Sequence, residues 1–182
     1  MTQAALKEWS AAVHALLDGR QTVLLRKGGI HEKRFEVAAH EFVLFPTVAH
    51  SHAQRVRPEH RGLLAAACAD STEDHVTLRA AAKVVAALEV NRPENLEKIE
   101  DLHIWTTESV REDRLDFRPK HRLTVLVVQA TPLVKPVRLV RTPEYAGCTS
   151  WVPLPVTPAL AVPVHDEATL RRVADRVRDT LG

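Results

Sequence analysis

The sequence predicts an α+β fold: a small curled β-sheet or β-barrel with N-terminal, connecting and C-terminal helices. Three observations carry that prediction. Strand-like apolar runs gather in the middle of the chain, helical spacing occupies both ends, and prolines punctuate the connections. With 182 residues, 45% hydrophobic and 26% charged, the composition is that of a globular protein that forms one domain over residues 1–182 around its own core.

The elements follow in order. Leu6, Trp9, Val13, Leu16 and Leu17 recur at helical spacing and Gly19 stands where a C-cap belongs, which predicts an amphipathic helix over residues 3–18. "QTVLLR" reads as a short strand running into the "RKGG" turn. "RFEVAAHEFVLFPT" reads as a second extended region in which Pro46 ends "EFVLF", and Pro58 at a first helical position predicts a helix over residues 58–68. "HVTLRAAAKVVAALEV" fits helical and alternating templates alike, but its β-branched residues and the Asn91-Arg92-Pro93 stop favour a long strand. "RPENLEKIED" is a second proline-led helix, and "TTESVREDRLDF" opens with threonines and acids as a helix start does. "HRLTVLVVQATPL" is the strongest strand. The prolines from Pro132 to Pro163 should then break the sheet into short pieces, before "DEATLRRVADRVRDTL" returns to helix.

Composition narrows the function classes. Net charge is only +2, yet residues 118–141 hold six bases and no acids, and residues 70–116 hold twelve acids against six bases. Such segregation predicts a polarised surface. No apolar run approaches the roughly 20 residues of a membrane span. No secretory signal opens the chain, so a cytoplasmic location is the expectation. Cys68 and Cys148 are too few for a disulfide framework, and both are expected to be free thiols.

At "LLRKGGI", "EFVLFPT" and "GCTSWVPL", with the opening "ALKEW", the chain closely resembles an uncharacterised bacterial domain-of-unknown-function family, the one numbered 1802. That resemblance spans nearly the whole chain and implies no known activity. A second one joins "GRQTVLLR" to the late "VLVVQATPLVKPVRL" and "GCTSW", which together are similar to the ASCH and PUA-like superfamily. It implies a small β-barrel that binds RNA or modified nucleobases, with Gly19, Arg20, Thr22 and Arg26 on the ASCH pattern. Hydrolytic members of that superfamily carry Lys where Gln21 stands and Thr where Leu24 stands. A glutamine is neither nucleophile nor general base and a leucine has no polar atom, so inherited amide cleavage is not expected.

Several constellations bear on chemistry. Arg26 and Lys27 beside Gly28 and Gly29 make a cationic turn whose backbone can approach an anion closely. The strand-to-helix setting and spacing of a Walker loop or dinucleotide fingerprint are missing, so no nucleotide cofactor is expected. His50 and His52 would share a face in an extended segment, with His40, Glu41 or His60 as a third metal ligand. Cys148 is expected to pack as a small buried residue near Trp151 rather than to act as a nucleophile. Glu32, Glu36 and Glu41 lack the acid-X-Lys setting of a magnesium nuclease. The eight aromatics are expected to serve mainly the core, which leaves little for a stacking platform.

The function expected from these features is a noncatalytic RNA- or nucleotide-binding module. Its contacts would be Arg20, Arg26, Lys27, Gly28, Gly29, Arg118, Lys120 and Arg122, with no catalytic residue, metal or cofactor. The alternative is a metal-dependent hydrolase or nuclease using His50, His52 and a nearby carboxylate. A third possibility is a scaffold whose opposed charges mediate self-association or docking.

Overall fold

The computed structural model describes residues 2–28, 34–117 and 119–182. Six strands form one open mixed sheet in the order β2-β5-β4-β3-β1-β6. They are β1 Gln3–Trp9, β2 Val23–Lys27, β3 Glu41–Thr47, β4 His75–Glu89, β5 Leu123–Val140 and β6 Trp151–Leu154. β1 and β3 run parallel, and the other pairings are antiparallel. The helices are α1 Ser10–Leu17, α2 His52–Arg55, α3 Leu64–Ala69, α4 Thr107–Val110 and α5 Glu167–Leu181. Two 3₁₀ helices, Pro58–Leu63 and Pro93–Leu102, and a π-helix, Arg111–Asp116, complete the connections that concern the site. The predicted α+β class with a curled sheet is what the chain adopts.

The curl is visible in the core. Leu6 of β1, Leu24 of β2, Leu44 of β3, Ala82 of β4 and Leu126 of β5 all enter one buried cluster, so five strands turn the same face inward. A second cluster packs Val23, Leu25 and Val125 from the opposite face against Leu96, Ile99, Leu102 and the α5 residues Leu170 and Val177. Alternation along β2 thus buries both faces of an edge strand. That suits its near-continuous apolar sequence.

The N-terminal helix prediction needs correction. Residues 3–9 form a strand and α1 begins only at Ser10. Local propensity favours helix in this alanine- and leucine-bearing stretch. β1, however, is held between β3 and β6, and Ala5 and Leu6 are fully buried in two different clusters, so long-range pairing overrides local preference. The end of α1 follows the sequence closely. Gly19 has φ +79°, its N–H reaches the carbonyl of Leu16 and that of Arg20 reaches Ala15, which is a Schellman stop.

The predicted break after Leu133 is also corrected, because β5 continues through Pro132 and Pro136 to Val140. The ladder to β4 steps from Leu78 opposite Val137 to Ala80 opposite Pro132, so Pro136 falls inside a bulge. Pro136 is therefore not asked to donate an interior ladder bond, and Pro132 stands where the ladder resumes beside the bulge. The second proline-led helix is a 3₁₀ helix with a kink at Ile99, and "TTESVREDRLDF" splits into α4 and the π-helix.

Candidate nucleic-acid interface and an adjoining cavity

β2 and β5 pair antiparallel with Arg26 opposite Thr124 and Lys27 opposite Leu123, so the two basic segments of the chain meet at one end of the sheet edge. Alternation then separates Arg26 from Lys27. Arg26 points toward β1, separated from β2 by three strands in the sheet order, where Nη1 donates to the carbonyl of Lys7 at 2.8 Å and to Glu8 Oε2 at 3.2 Å. Its guanidinium lies 5.1 Å from the Phe35 ring centroid. The Glu8 side chain is 3% exposed and its other oxygen accepts the backbone N–H of Trp9. Arg26 thus clasps the open side of the curled sheet.

Lys27 faces the other way. Its ammonium donates to the carbonyl of Phe117 at 2.6 Å and to that of Leu115 at 3.4 Å, and burial with nearby Arg114 lowers its pKa. Gly28 is buried. Lys120 is exposed, and Arg122 is exposed and donates to Glu89 Oε2 at 3.2 Å and to Asn91 Oδ1 at 3.3 Å. Arg34 reaches the same Glu89 at 3.7 Å. Phe117, whose carbonyl accepts from Lys27, is 54% exposed. Gly29 and Arg118 lie outside the described residues. Arg20 is not part of this corner: it precedes β2, at the strand's opposite end, and pairs with Asp18 at 2.5 Å.

Gln21 and Leu24 are both interior. Gln21 is 1% exposed and donates to the carbonyl of Val23, and Leu24 is 1% exposed in the core. The histidine pair does not share a face. His50 lies exposed in a turn, whereas His52 opens α2 with its ring buried 4.9 Å from Trp9 and 6.4 Å from Trp105. Burial, reinforced by Arg55, lowers the His52 pKa to about 4, and neither ring nitrogen has a hydrogen-bond partner among the described residues. Among the described residues no group of three His, Cys, Asp or Glu side chains could hold a metal ion, so the His/carboxylate centre is not formed there. Cys148 is an exposed free thiol rather than a buried one.

Residues that the sequence reading passed over build a cavity of about 360 Å³ next to the basic corner. It opens between the 3₁₀ helix Pro93–Leu102 and the segment from Thr107 to Leu115. Lys27 touches its far wall through the carbonyl of Leu115, and Asn91, the partner of Arg122, stands two residues before Pro93. A 3₁₀ helix eclipses residues three apart. Leu96, Ile99 and Leu102 therefore turn into the core, while Glu94, Glu97 and Glu100 line the cavity rim. Thr106 caps α4 by accepting the N–H of Ser109, and the π-helix that follows places Asp113 on Arg55 at 2.7 Å and Arg114 Nε on the free-edge carbonyl of Leu25 at 3.0 Å. The period-three series Glu94, Glu97, Glu100 and Leu96, Ile99, Leu102 in "ENLEKIEDL" were the available signal.

An α+β protein with a curled mixed sheet, a clasped edge and a cation-rich corner beside an acidic-rimmed cavity is the class these features define. The chain belongs to the family described as Domain of unknown function (DUF1802), whose family model matches residues 5–176. Among solved structures it is similar to the ASCH protein from Zymomonas mobilis, at 12% identity and a TM-score of 0.46 over 94% of this chain and 93% of that one. A serine-to-alanine mutant of the same protein matches at 13% identity with a TM-score of 0.46, over 94% of both chains. No curated protein matches the chain. No helix among the described residues is long and apolar enough to cross a membrane.

Proposed function

We propose that the chain is a noncatalytic RNA- or nucleotide-binding module whose contact surface is the corner where the end of β2 meets the start of β5. The observation that carries this reading is that the pairing of β2 with β5 brings exposed Lys120 and Arg122 to the corner where Lys27 donates to the carbonyl of Phe117, a residue 54% exposed. Single-stranded nucleic acid is held by cations that track its phosphates and by aromatic faces on which bases stack, and this corner supplies both. The other aromatics are buried or half-buried, so one base at most finds a stacking partner and contact is led by the backbone.

The test is fluorescence anisotropy of a labelled single-stranded RNA across about 50 to 200 mM salt. The double variant Lys120→Ala/Arg122→Ala is expected to flatten the log–log salt slope by about 1.4, at roughly 0.7 for each lost phosphate contact. Phe117→Ala should weaken binding by about 1–3 kcal/mol with the slope unchanged. Binding by the unaltered chain that is absent, or indifferent to salt, removes the reading.

A further inference from the structure

We infer that the cavity between the 3₁₀ helix Pro93–Leu102 and α4 is a binding site for an arginine-type ligand, a guanidinium on an apolar stem followed by an amide or carboxyl acceptor. Its charge is opposite to that of the basic corner, and the inference stands apart from the RNA reading. Glu94, Glu97 and Glu100 are exposed at the rim, and Arg111 is the one Lys or Arg among the lining residues. Among the described residues no ion pair engages any of the three carboxylates. Below them Leu96 and Val110 are buried and form an apolar floor. A volume of about 360 Å³ lies at the small end of ligand cavities, and suits one amino-acid-sized group.

His103 adds the polar anchor. It is 3% exposed and lines the cavity, and its Nδ1 accepts the backbone N–H of Trp105 at 3.0 Å. A ring that accepts at Nδ1 carries its proton at Nε2. Burial, reinforced by Arg57, lowers the His103 pKa to about 3, so the ring stays neutral and donating. That Nε2–H has no acceptor among the described residues. A ligand complementary to the site places positive charge at the rim and an acceptor toward His103. An ammonium meets the first demand, but the planar guanidinium fork matches carboxylates bidentately.

Isothermal titration of the whole chain with Nα-acetyl-L-arginine methylamide, its citrulline counterpart and free L-arginine tests the assignment. The arginine amide is expected to bind at least about tenfold more tightly than the citrulline amide, which has nearly the same shape without the charge. Binding should also move the His103 Nε2–H resonance in the NMR spectrum. Glu94→Gln/Glu97→Gln, both exposed and remote from the core, should lose about tenfold in affinity with an unchanged melting temperature. Free arginine binding as well as the amide makes the ligand the amino acid itself, and weaker binding makes it an arginine within a peptide; either supports the site. Equal affinity for the citrulline amide, or no binding of any of the three, overturns it.

Discussion

Arg26 and Arg122 come from the two basic segments, stand on or beside neighbouring strands, and each meets a glutamate at 3.2 Å. Distance does not distinguish them; burial does. The side chains of Arg26 and Glu8 are 15% and 3% exposed, those of Arg122 and Glu89 60% and 35%. A buried pair has surrendered most of its hydration, and removing one partner strands a charge in a medium that cannot solvate it. An exposed pair exchanges one well-hydrated state for another. The same residue type at the same separation is therefore a buried structural clasp at one position and a solvated surface pair at the other.

The contrast breaks first at the clasp. Arg26→Ala takes from Glu8 its hydrogen-bonded countercharge, leaving Arg114 as the nearby cation, and removes the bond to the Lys7 carbonyl, so a loss of about 3 kcal/mol is expected in urea unfolding. The double variant Glu8→Leu/Arg26→Met, which removes both charges, should recover most of that loss. A single-variant loss below about 1 kcal/mol would place the Arg26 pair in the same energetic class as the exposed one.

Burial also sets the pH response. The ring of His52 is 2% exposed and its pKa stands at about 4 against an ordinary 6.5. Between those values the unfolded chain binds a proton that the folded chain refuses, so stability is full above pH 6.5 and falls as pH drops toward 4. The expected loss from this residue is about 3 kcal/mol, with His103 pushing in the same direction. Thermal melts at pH 7, 5.5 and 4 should show it, and His52→Phe should make the curve shallower. An unchanged slope in that variant would mean that His52 is not the group being titrated.

What the sequence made legible follows the same division. Strands β2, β4 and the start of β5 were readable because β-branched and apolar residues state a local preference, and Gly19 because only one stop fits a helix before a strand. β1 was not, since its strand character resides in the register with β3 and β6 and its own residues favour helix. Among the site residues, charge was visible and direction was not. "RKGG" announces two cations, but the pleat sends Arg26 inward to Glu8 and Lys27 toward the Phe117 carbonyl, and neither destination is near in sequence. The cavity was partly written in the spacing of Glu94, Glu97 and Glu100. Its other wall, at Val110 and Leu115, arrives only through tertiary packing.

The smallest expected effect makes the sharpest test of the comparison. Arg122→Ala removes a guanidinium whose partner Glu89 keeps Arg34 at 3.7 Å and is itself 35% exposed, so no charge is stranded. Unfolding free energy should change by no more than about 0.5 kcal/mol. The same substitution should still weaken RNA binding at low salt and reduce the salt slope by about 0.7. A cation free for recognition is one whose removal registers in binding and leaves stability alone, the reverse of what Arg26 should show. If Arg122→Ala instead destabilises the chain by as much as Arg26→Ala, the corner is a second clasp, and the proposed phosphate contact at Arg122 fails.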